Sequence, residues 1–193
     1  VIIGAGALGL RAADAFMRCG VQVDLIDCDM ERLRWAEQAL GYHVSTRVNN
    51  PRGLQRVVRY ADVLVCAVNL DQSDEKVIIS EQMVKTMKPG SLIIDTSIDQ
   101  GGGVETSRVT SPADPVFKVH GINHYCVPNI SALVPRTSSR VLDSVVTPFL
   151  LELGRMGDFA AMDESPHFSK SVYVRRGKVV SELLRSAAGR GLL

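Results

Sequence analysis

Val1-Ile2-Ile3-Gly4-Ala5-Gly6-Ala7-Leu8-Gly9-Leu10 opens the chain, and Arg11 to Arg18 continues it with a helical pattern. An apolar run that ends in Gly-x-Gly-x-x-Gly and passes at once into a helix predicts the strand, turn and helix start of a dinucleotide-binding βαβ unit. Each glycine has its own task there. Gly4 makes the tight turn, Gly6 lets the backbone approach a pyrophosphate, and Gly9 lets helix and strand pack closely. Ala5, Ala7 and Leu8 complete the candidate phosphate loop. The helix N-terminus turns unpaired N–H groups and the positive end of its dipole toward the phosphates.

A second apolar run, Val21 to Ile26, ends in Asp27, close to the expected spacing of roughly twenty residues past the glycines. A carboxylate at that strand tip can accept both ribose hydroxyls of an adenosine and repels a 2′-phosphate. No basic residue follows directly, so NAD is favoured over NADP. Cys28 and Arg32 join Asp27 as candidate cofactor contacts, and Arg32 and Arg34 keep NADP open. The plainer reading is a glycine turn and a capping Asp with no ligand.

The 193 residues suffice for one large domain, or one domain and an appendage, with a sizeable core. A hydrophobic content of 46% and a charged content of 22% fit an α/β protein. A net charge of +1 leaves no footprint for nucleic acid or an anionic membrane. No apolar stretch approaches the roughly twenty residues needed to span a bilayer. Cys19, Cys28, Cys66 and Cys126 show no CxxC spacing, so neither a metal site nor a disulfide framework is expected. A reducing, cytoplasmic setting follows. Because the sequence opens inside a buried strand with no Met, the chain is expected to be the later portion of a longer protein.

The alternation of strand and helix continues. Asp29 can cap a helix through about Leu40, with Gly41 as its stop. Tyr42 to Val48 reads as a third strand and Pro51 to Tyr60 as a proline-opened helix. Asp62 to Val68 is nearly all apolar, as in a strand covered on both faces. Ser80 to Met87 reads as a helix, Ser91 to Ile98 as another buried strand, and Val116 to Tyr125 as a sixth. This order predicts an α/β fold with a doubly wound parallel sheet, a Rossmann-type domain over residues 1–130. Residues 131–193 should follow as one long helix, from Pro135 to about Leu153 and bent at Pro148, and an irregular tail. Within the tail only Val179 to Ala188 looks helical.

Ligands in open α/β sheets bind outside the carboxyl ends of the strands. That singles out Val68-Asn69-Leu70 and Ser97-Ile98-Asp99-Gln100-Gly101-Gly102-Gly103. Three glycines let the backbone pass a flat group such as a nicotinamide. Asp99 beside it can order a substrate ammonium group or move a proton, or can merely cap the loop. His43 and His167 read as surface residues. His120 and His124 lie in a strand, where a structural role is the commoner outcome.

Ile98-Asp-Gln-Gly-Gly102, Val104-Glu-Thr-Ser-Arg108, His124-Tyr-Cys-Val127 with Asn129, and Val134-Pro-Arg-Thr-Ser138 together resemble the alanine dehydrogenases, which share a family with the proton-translocating transhydrogenases. The likeness runs through most of residues 1–155. It implies NAD as cofactor, with Gly4, Gly6 and Gly9 at the pyrophosphate and Asp27 at the adenosine ribose. It implies Val68 and Ile98 around the nicotinamide, beside the strand-end candidate Asn69, Asp99 as the catalytic aspartate, and Asn129 with Ile130 at a hinge beside the nicotinamide. The implied reaction is reversible: L-alanine, NAD and water give pyruvate, ammonia and NADH. The implied partners are a small amino acid or 2-oxo acid and further copies of the chain, as a hexamer, with no nucleic acid and no membrane.

The chain departs from that pattern in three places. Asn69 to Lys76 replaces a Pro-Gly-Ala-Lys-Ala-Pro type loop, which leaves room for a different amino acid. Gly103 stands where cysteine is common, and Ile130 where methionine is common. The family's substrate-binding Arg and Lys and its catalytic His belong to an N-terminal domain outside this sequence, so residues 131–193 would return to a substrate domain lacking its first part. A related imine-reducing or transhydrogenase-like enzyme, or a non-catalytic NAD-binding module, are the other readings.

Overall fold

The computed structural model describes residues 1–70, 77–156, 165–181 and 184–185, with positions 166 and 167 along the backbone only. Two compact units emerge, Val1–Leu133 and Val134–Leu193.

In the first unit the buried pair β1 (Ile2–Ile3) leads through the glycine turn into α1 (Ala7–Arg18). Then come β2 (Asp24–Asp27), α2 (Met30–Ala39), β3 (Ser45–Val48), α3 (Pro51–Tyr60), β4 (Val63–Cys66), α4 (Glu81–Val84) and β5 (Leu92–Asp95). The helix starts follow local chemistry. Asp29 accepts the N–H groups of Glu31 and Arg32 to open α2, and Asn50 accepts that of Gly53 to open α3, with Pro51 inside the first turn. The predicted helix at 80–87 is shorter than its pattern. Ser80 caps α4, regular helix ends at Val84, and Pro89-Gly90 turns the chain.

The strands form a seven-stranded sheet in the order β3-β2-β1-β4-β5-β7-β6. From β3 through β7 every pairing is parallel. The predicted single strand at 116–125 is instead an antiparallel hairpin, β6 (Val116–Val119) and β7 (Ile122–Tyr125). His120 and Gly121 turn it with φ of 52° and 81°. Positive φ at both central residues matches the right-handed twist of the strands they join. The sheet is thus mostly parallel with one antiparallel edge.

Core packing follows the two faces of the sheet. Ile3, Ile26, Leu64, Val58 and Ile93 cluster on one side, and Ile2, Leu25, Ala13, Ala36 and Val65 on the other. Both faces are covered, which explains the uninterrupted apolar strands. Strand order reverses across β1, which pairs with β2 on one side and β4 on the other. Their carboxyl ends part there and leave a crevice.

The second unit contains α5 (Pro135–Met156), one helix that passes through Pro148, a short α6 (Pro166–Ser169), and a hairpin of β8 (Val174–Arg175) and β9 (Lys178–Val179). Val179 therefore lies in a strand and not in the expected helix. Residues 182–183 and 186–188 of that expectation lie outside the described residues. Among the described residues no helix is long and apolar enough to cross a membrane.

Candidate functional site

A cleft of about 930 Å³ opens at the carboxyl ends of β1, β2, β4 and β5. Gly4, Gly6, Ala7 and Leu8 form its floor, and Asp27, Cys28 and Arg32 one end. Val68, Asn69 and Asp99 stand at the other end, with Thr96, Ser97 and Gln100. A second cavity, of about 420 Å³, lies at the amino ends of the strands, around Val1, Asp24 and Tyr60. It shares no lining residue with the cleft.

Sterics fix the floor. Gly4 adopts φ 101°, donates its N–H to the Ile26 carbonyl at 2.7 Å, and would drive a Cβ into the Ala67 carbonyl oxygen. A Cβ at Gly9 would strike the Gly4 carbonyl, whereas one at Gly6 meets nothing within 4 Å. Gly6 caps α1 with no side chain over the helix end, so the amides of the first turn stay open to the cleft.

Asp27 is nearly buried. Its Oδ2 accepts the Ala5 N–H at 2.6 Å and its Oδ1 accepts the Asp29 N–H at 2.9 Å. The carboxylate is therefore tied to the glycine turn itself, and Oδ2 keeps a lone pair free. Cys28 Sγ donates to Oδ1 at 3.6 Å. The nearby cations have anionic partners: Arg32 lies 3.4 Å from Asp29, and Arg34 lies 2.7 Å from Glu31.

At the opposite end two strand-end loops are stitched together. Thr96 donates its N–H and its hydroxyl to the Cys66 carbonyl, at 3.0 and 2.7 Å. The Ser97 hydroxyl donates to the Val68 carbonyl at 2.7 Å, and the Leu70 N–H donates to Gln100 Oε1 at 2.6 Å. Positions 71–76 of the replaced loop lie outside the described residues. Asp99 sits in a 3-10 turn, Ile98–Gln100, and its two oxygens accept the Asn129 N–H at 3.2 and 3.0 Å.

Five of the predicted residues do not line the cleft. Ala5 and Gly9 lie beneath it, the first as donor to Asp27 and the second as packing surface. Ile98 is buried. Asn129 and Ile130 are exposed and join the site only through the bond to Asp99.

His124 is fully buried, with Nδ1 3.1 Å from the Ile122 carbonyl and Nε2 2.8 Å from the Thr106 hydroxyl. The Phe117 ring stacks on it at 5.0 Å, and the Arg108 guanidinium lies over Phe117. Burial pushes its pKa below the ordinary imidazole range, so the ring is a neutral structural element. His43 is exposed, while the side chain of His167 lies outside the described residues. Burial, and then the nearby Asp95 carboxylate, push the Cys66 thiol up to about 12. Its sulfur lies 2.5 Å from where a Cβ on Gly103 would stand, so it occupies the space a side chain at 103 would need.

Sequence reasoning passed over Asp95, which closes β5 with 1% of its surface exposed. The signal available was a carboxylate inside the buried run Leu92-Ile-Ile-Asp95 directly ahead of the glycine loop. Ser97 and Gln100 lie inside the stretch the sequence marks, and the structure gives each a role there: both tie Val68-Asn69-Leu70 to the Asp99 turn.

A family model described as Alanine dehydrogenase/PNT, C-terminal domain, matches residues 1–182. The chain belongs to this family. Its sequence is 35% identical over 189 residues to the alanine dehydrogenase of Bacillus subtilis, covering 97% of this chain and 50% of that protein. It is 37% identical over 187 residues to that of Geobacillus stearothermophilus, covering 96% and 50%. A solved L-alanine dehydrogenase superposes with a TM-score of 0.90 at 30% identity, covering 98% of this chain and 52% of that one. A transhydrogenase from Sinorhizobium meliloti shares the fold, with a TM-score of 0.74 at 20% identity over 94% and 49%. The chain spans about half the length of the relatives it matches. Among the described residues no group of three or more His, Cys, Asp or Glu side chains could hold a metal ion.

Proposed function

We propose that this chain is the cofactor-binding half of an NAD-dependent amino-acid dehydrogenase of the alanine dehydrogenase type. The observation that carries the reading is the placement of two carboxylates, Asp27 and Asp99, at opposite ends of one cleft whose floor is an open helix N-terminus. That spacing of parts suits an extended dinucleotide. Asp27 offers a free Oδ2 lone pair, and an Oδ1 whose weak thiol bond a ribose hydroxyl can displace; the bare Gly6 and the amides of α1 suit the pyrophosphate, and the Val68 and Ser97 loops border the nicotinamide end. Both arginines near the adenosine end are engaged with carboxylates, which supports NAD over NADP.

NAD, when bound, supplies the hydride acceptor. The chain's own residues orient and exclude. Asp99 lies on an exposed turn and presents a carboxylate that can hold the substrate ammonium and take up its proton as the Cα–H bond breaks. The resulting imine carbon is attacked by water, and collapse releases ammonia and pyruvate. By resemblance, the groups that clamp the substrate carboxylate lie in the other half that the relatives carry. Productive alignment needs both halves, because orientation of this kind is worth about 7–11 kcal/mol of barrier. The chain alone should bind NAD and produce no NADH from alanine.

Supplying the other half, fused or in trans, should restore turnover of alanine or a close relative. Calorimetric titration with NAD, followed by an assay against a panel of amino acids, tests this. A complex that binds NAD and leaves every amino acid untouched would favour a non-catalytic NAD module. Hydride exchange between NADH and an NADP analogue would favour a transhydrogenase-like role.

A further inference from the structure

The loop that carries Asp99 is held at both roots by one side chain. Asp95 Oδ1 accepts the Ser97 N–H at 3.0 Å, immediately before the Asp99 turn. Asp95 Oδ2 accepts three donors from beyond it: the N–H groups of Gly103 and Val104, at 3.0 and 3.2 Å, and the Ser107 hydroxyl at 2.7 Å. A carboxylate thus closes a loop of left-handed glycines, Gly101 and Gly102 with φ of 104° and 86°, which has no intrinsic reason to hold one conformation. The Gly103 carbonyl in turn accepts the Ile78 and Ile79 amides, at 2.8 and 3.0 Å, on the return from the 69–76 loop. Asp95 therefore fixes Gly103 directly, and through the Gly103 carbonyl the Ile78-Ile79 amides are tied to the same root.

We infer that Asp95 is the positioning residue of the reaction: it touches neither substrate nor cofactor and sets where the Asp99 carboxylate stands. This rests on the catalytic reading of Asp99. Geometry makes the part specific to a carboxylate. In Asp95→Asn the amide oxygen can face the three donors at Oδ2 only by turning its NH₂ against the Ser97 N–H, so one donor is opposed by another. Volume is unchanged and the β5 core is untouched. The fault is confined to the root next to Ile98-Asp99.

Two measurements test it. In the chain supplied with the other half, Asp95→Asn should lower kcat about 10- to 100-fold, the scale of a catalytic group displaced by about an ångström. NAD affinity should stay within about threefold. Once Asp99 is also changed to Asn, adding Asp95→Asn should cost less than about twofold, since two residues acting through one group are not additive. A full, additive loss, a parallel fall in NAD affinity, or an unchanged kcat would each overturn the inference. Where Asp95→Asn does not fold, Ser107→Ala removes one donor from Oδ2 and should give a smaller fall, about two- to fivefold, that vanishes beside Asp99→Asn; no fall overturns the inference. The second measurement needs no turnover. Amide exchange at Ser97, Gly103 and Val104 should quicken in Asp95→Asn, while that in the Gly4–Gly9 turn stays the same, and unchanged exchange overturns the positioning role. If Asp99→Asn alone leaves kcat intact, the reading of Asp99 fails, and the exchange data decide whether Asp95 still organises the loop.

Discussion

The Asp99 carboxylate receives the Asn129 N–H on both of its oxygens, and Asn129 holds φ 49°, a left-handed conformation that a non-glycine residue adopts at some cost. The proposed proton acceptor thereby also fixes the backbone just before the 3-10 turn Ile130–Leu133, where the first unit ends. Both residues are exposed, so water can replace the bond once the side chain is shortened.

For Asp99→Ala this predicts a split result. In the chain supplied with its other half, kcat should fall about 10²-fold or more, as for loss of a proton-transfer group. Stability should change little, and NAD affinity should hold. Steady-state kinetics beside a thermal melt checks both. Loss of NAD binding with turnover intact would make Asp99 a binding residue.

Asp27→Ala should weaken NAD by about 1–3 kcal/mol, the range for a lost charged hydrogen bond. It also leaves the Ala5 and Asp29 amides without their acceptor, so the glycine turn should loosen. Native protein should prefer NAD to NADP. Equal affinities in paired calorimetric titrations would contradict the role given to Asp27.

The three glycines of the turn should separate cleanly on substitution by Ala. Gly9→Ala and Gly4→Ala set a methyl against a backbone carbonyl and should impair folding. Gly6→Ala meets no protein atom within 4 Å, so its melt should match the native protein while NAD binding weakens. Circular dichroism and a titration on the three variants distinguish these outcomes. If Gly6→Ala binds NAD normally, the pyrophosphate does not pass there.

His124 predicts a pH dependence of stability. Burial lowers its folded pKa below the ordinary value of 6.5, while the unfolded imidazole takes its proton near that value. Below it the unfolded state binds more protons, so the contribution is fully present above 6.5 and declines as pH falls toward the folded value. Urea unfolding should show stability dropping from pH 6.5 downward, and His124→Gln should flatten that part of the profile. An unchanged slope in the variant would place the titration elsewhere.

The helix α5 exposes Val141, Leu142, Val145, Phe149, Leu150 and Leu151, and no residue along it is buried. A face of that kind favours association of copies. Light scattering should therefore find the chain above monomer mass, and a concentrated monomer would count against the homo-oligomer implied by resemblance.

Much of the first unit was legible because its signals are local. The Pro51–Tyr60 helix has the bounds its sequence marks, with Asn50 and Pro51 at one end and an apolar strand after the other. Asp27 could be read from spacing alone. The hairpin at 116–125 could not, because Val-Phe-Lys-Val-His-Gly-Ile-Asn-His-Tyr reads as continuous strand unless His120-Gly121 is allowed two positive φ values. Val179 was drawn toward a helix by the Ser181-Glu-Leu-Leu run that follows it. The stitches Ser97–Val68 and Gln100–Leu70 join positions some thirty residues apart, and no local pattern announces them.

The sulfur of Cys66 fills the volume beside Gly103, and that shared volume imposes an order on history. A lineage in which residue 103 gains a side chain while Cys66 persists passes through a crowded intermediate, since the new Cβ and the buried Cys66 sulfur claim the same space. The permitted route shrinks position 66 first, tolerates a small void for a time, and then fills it from 103. The two sites should thus drift as a correlated pair among descendants of this chain, even though 36 residues separate them along it.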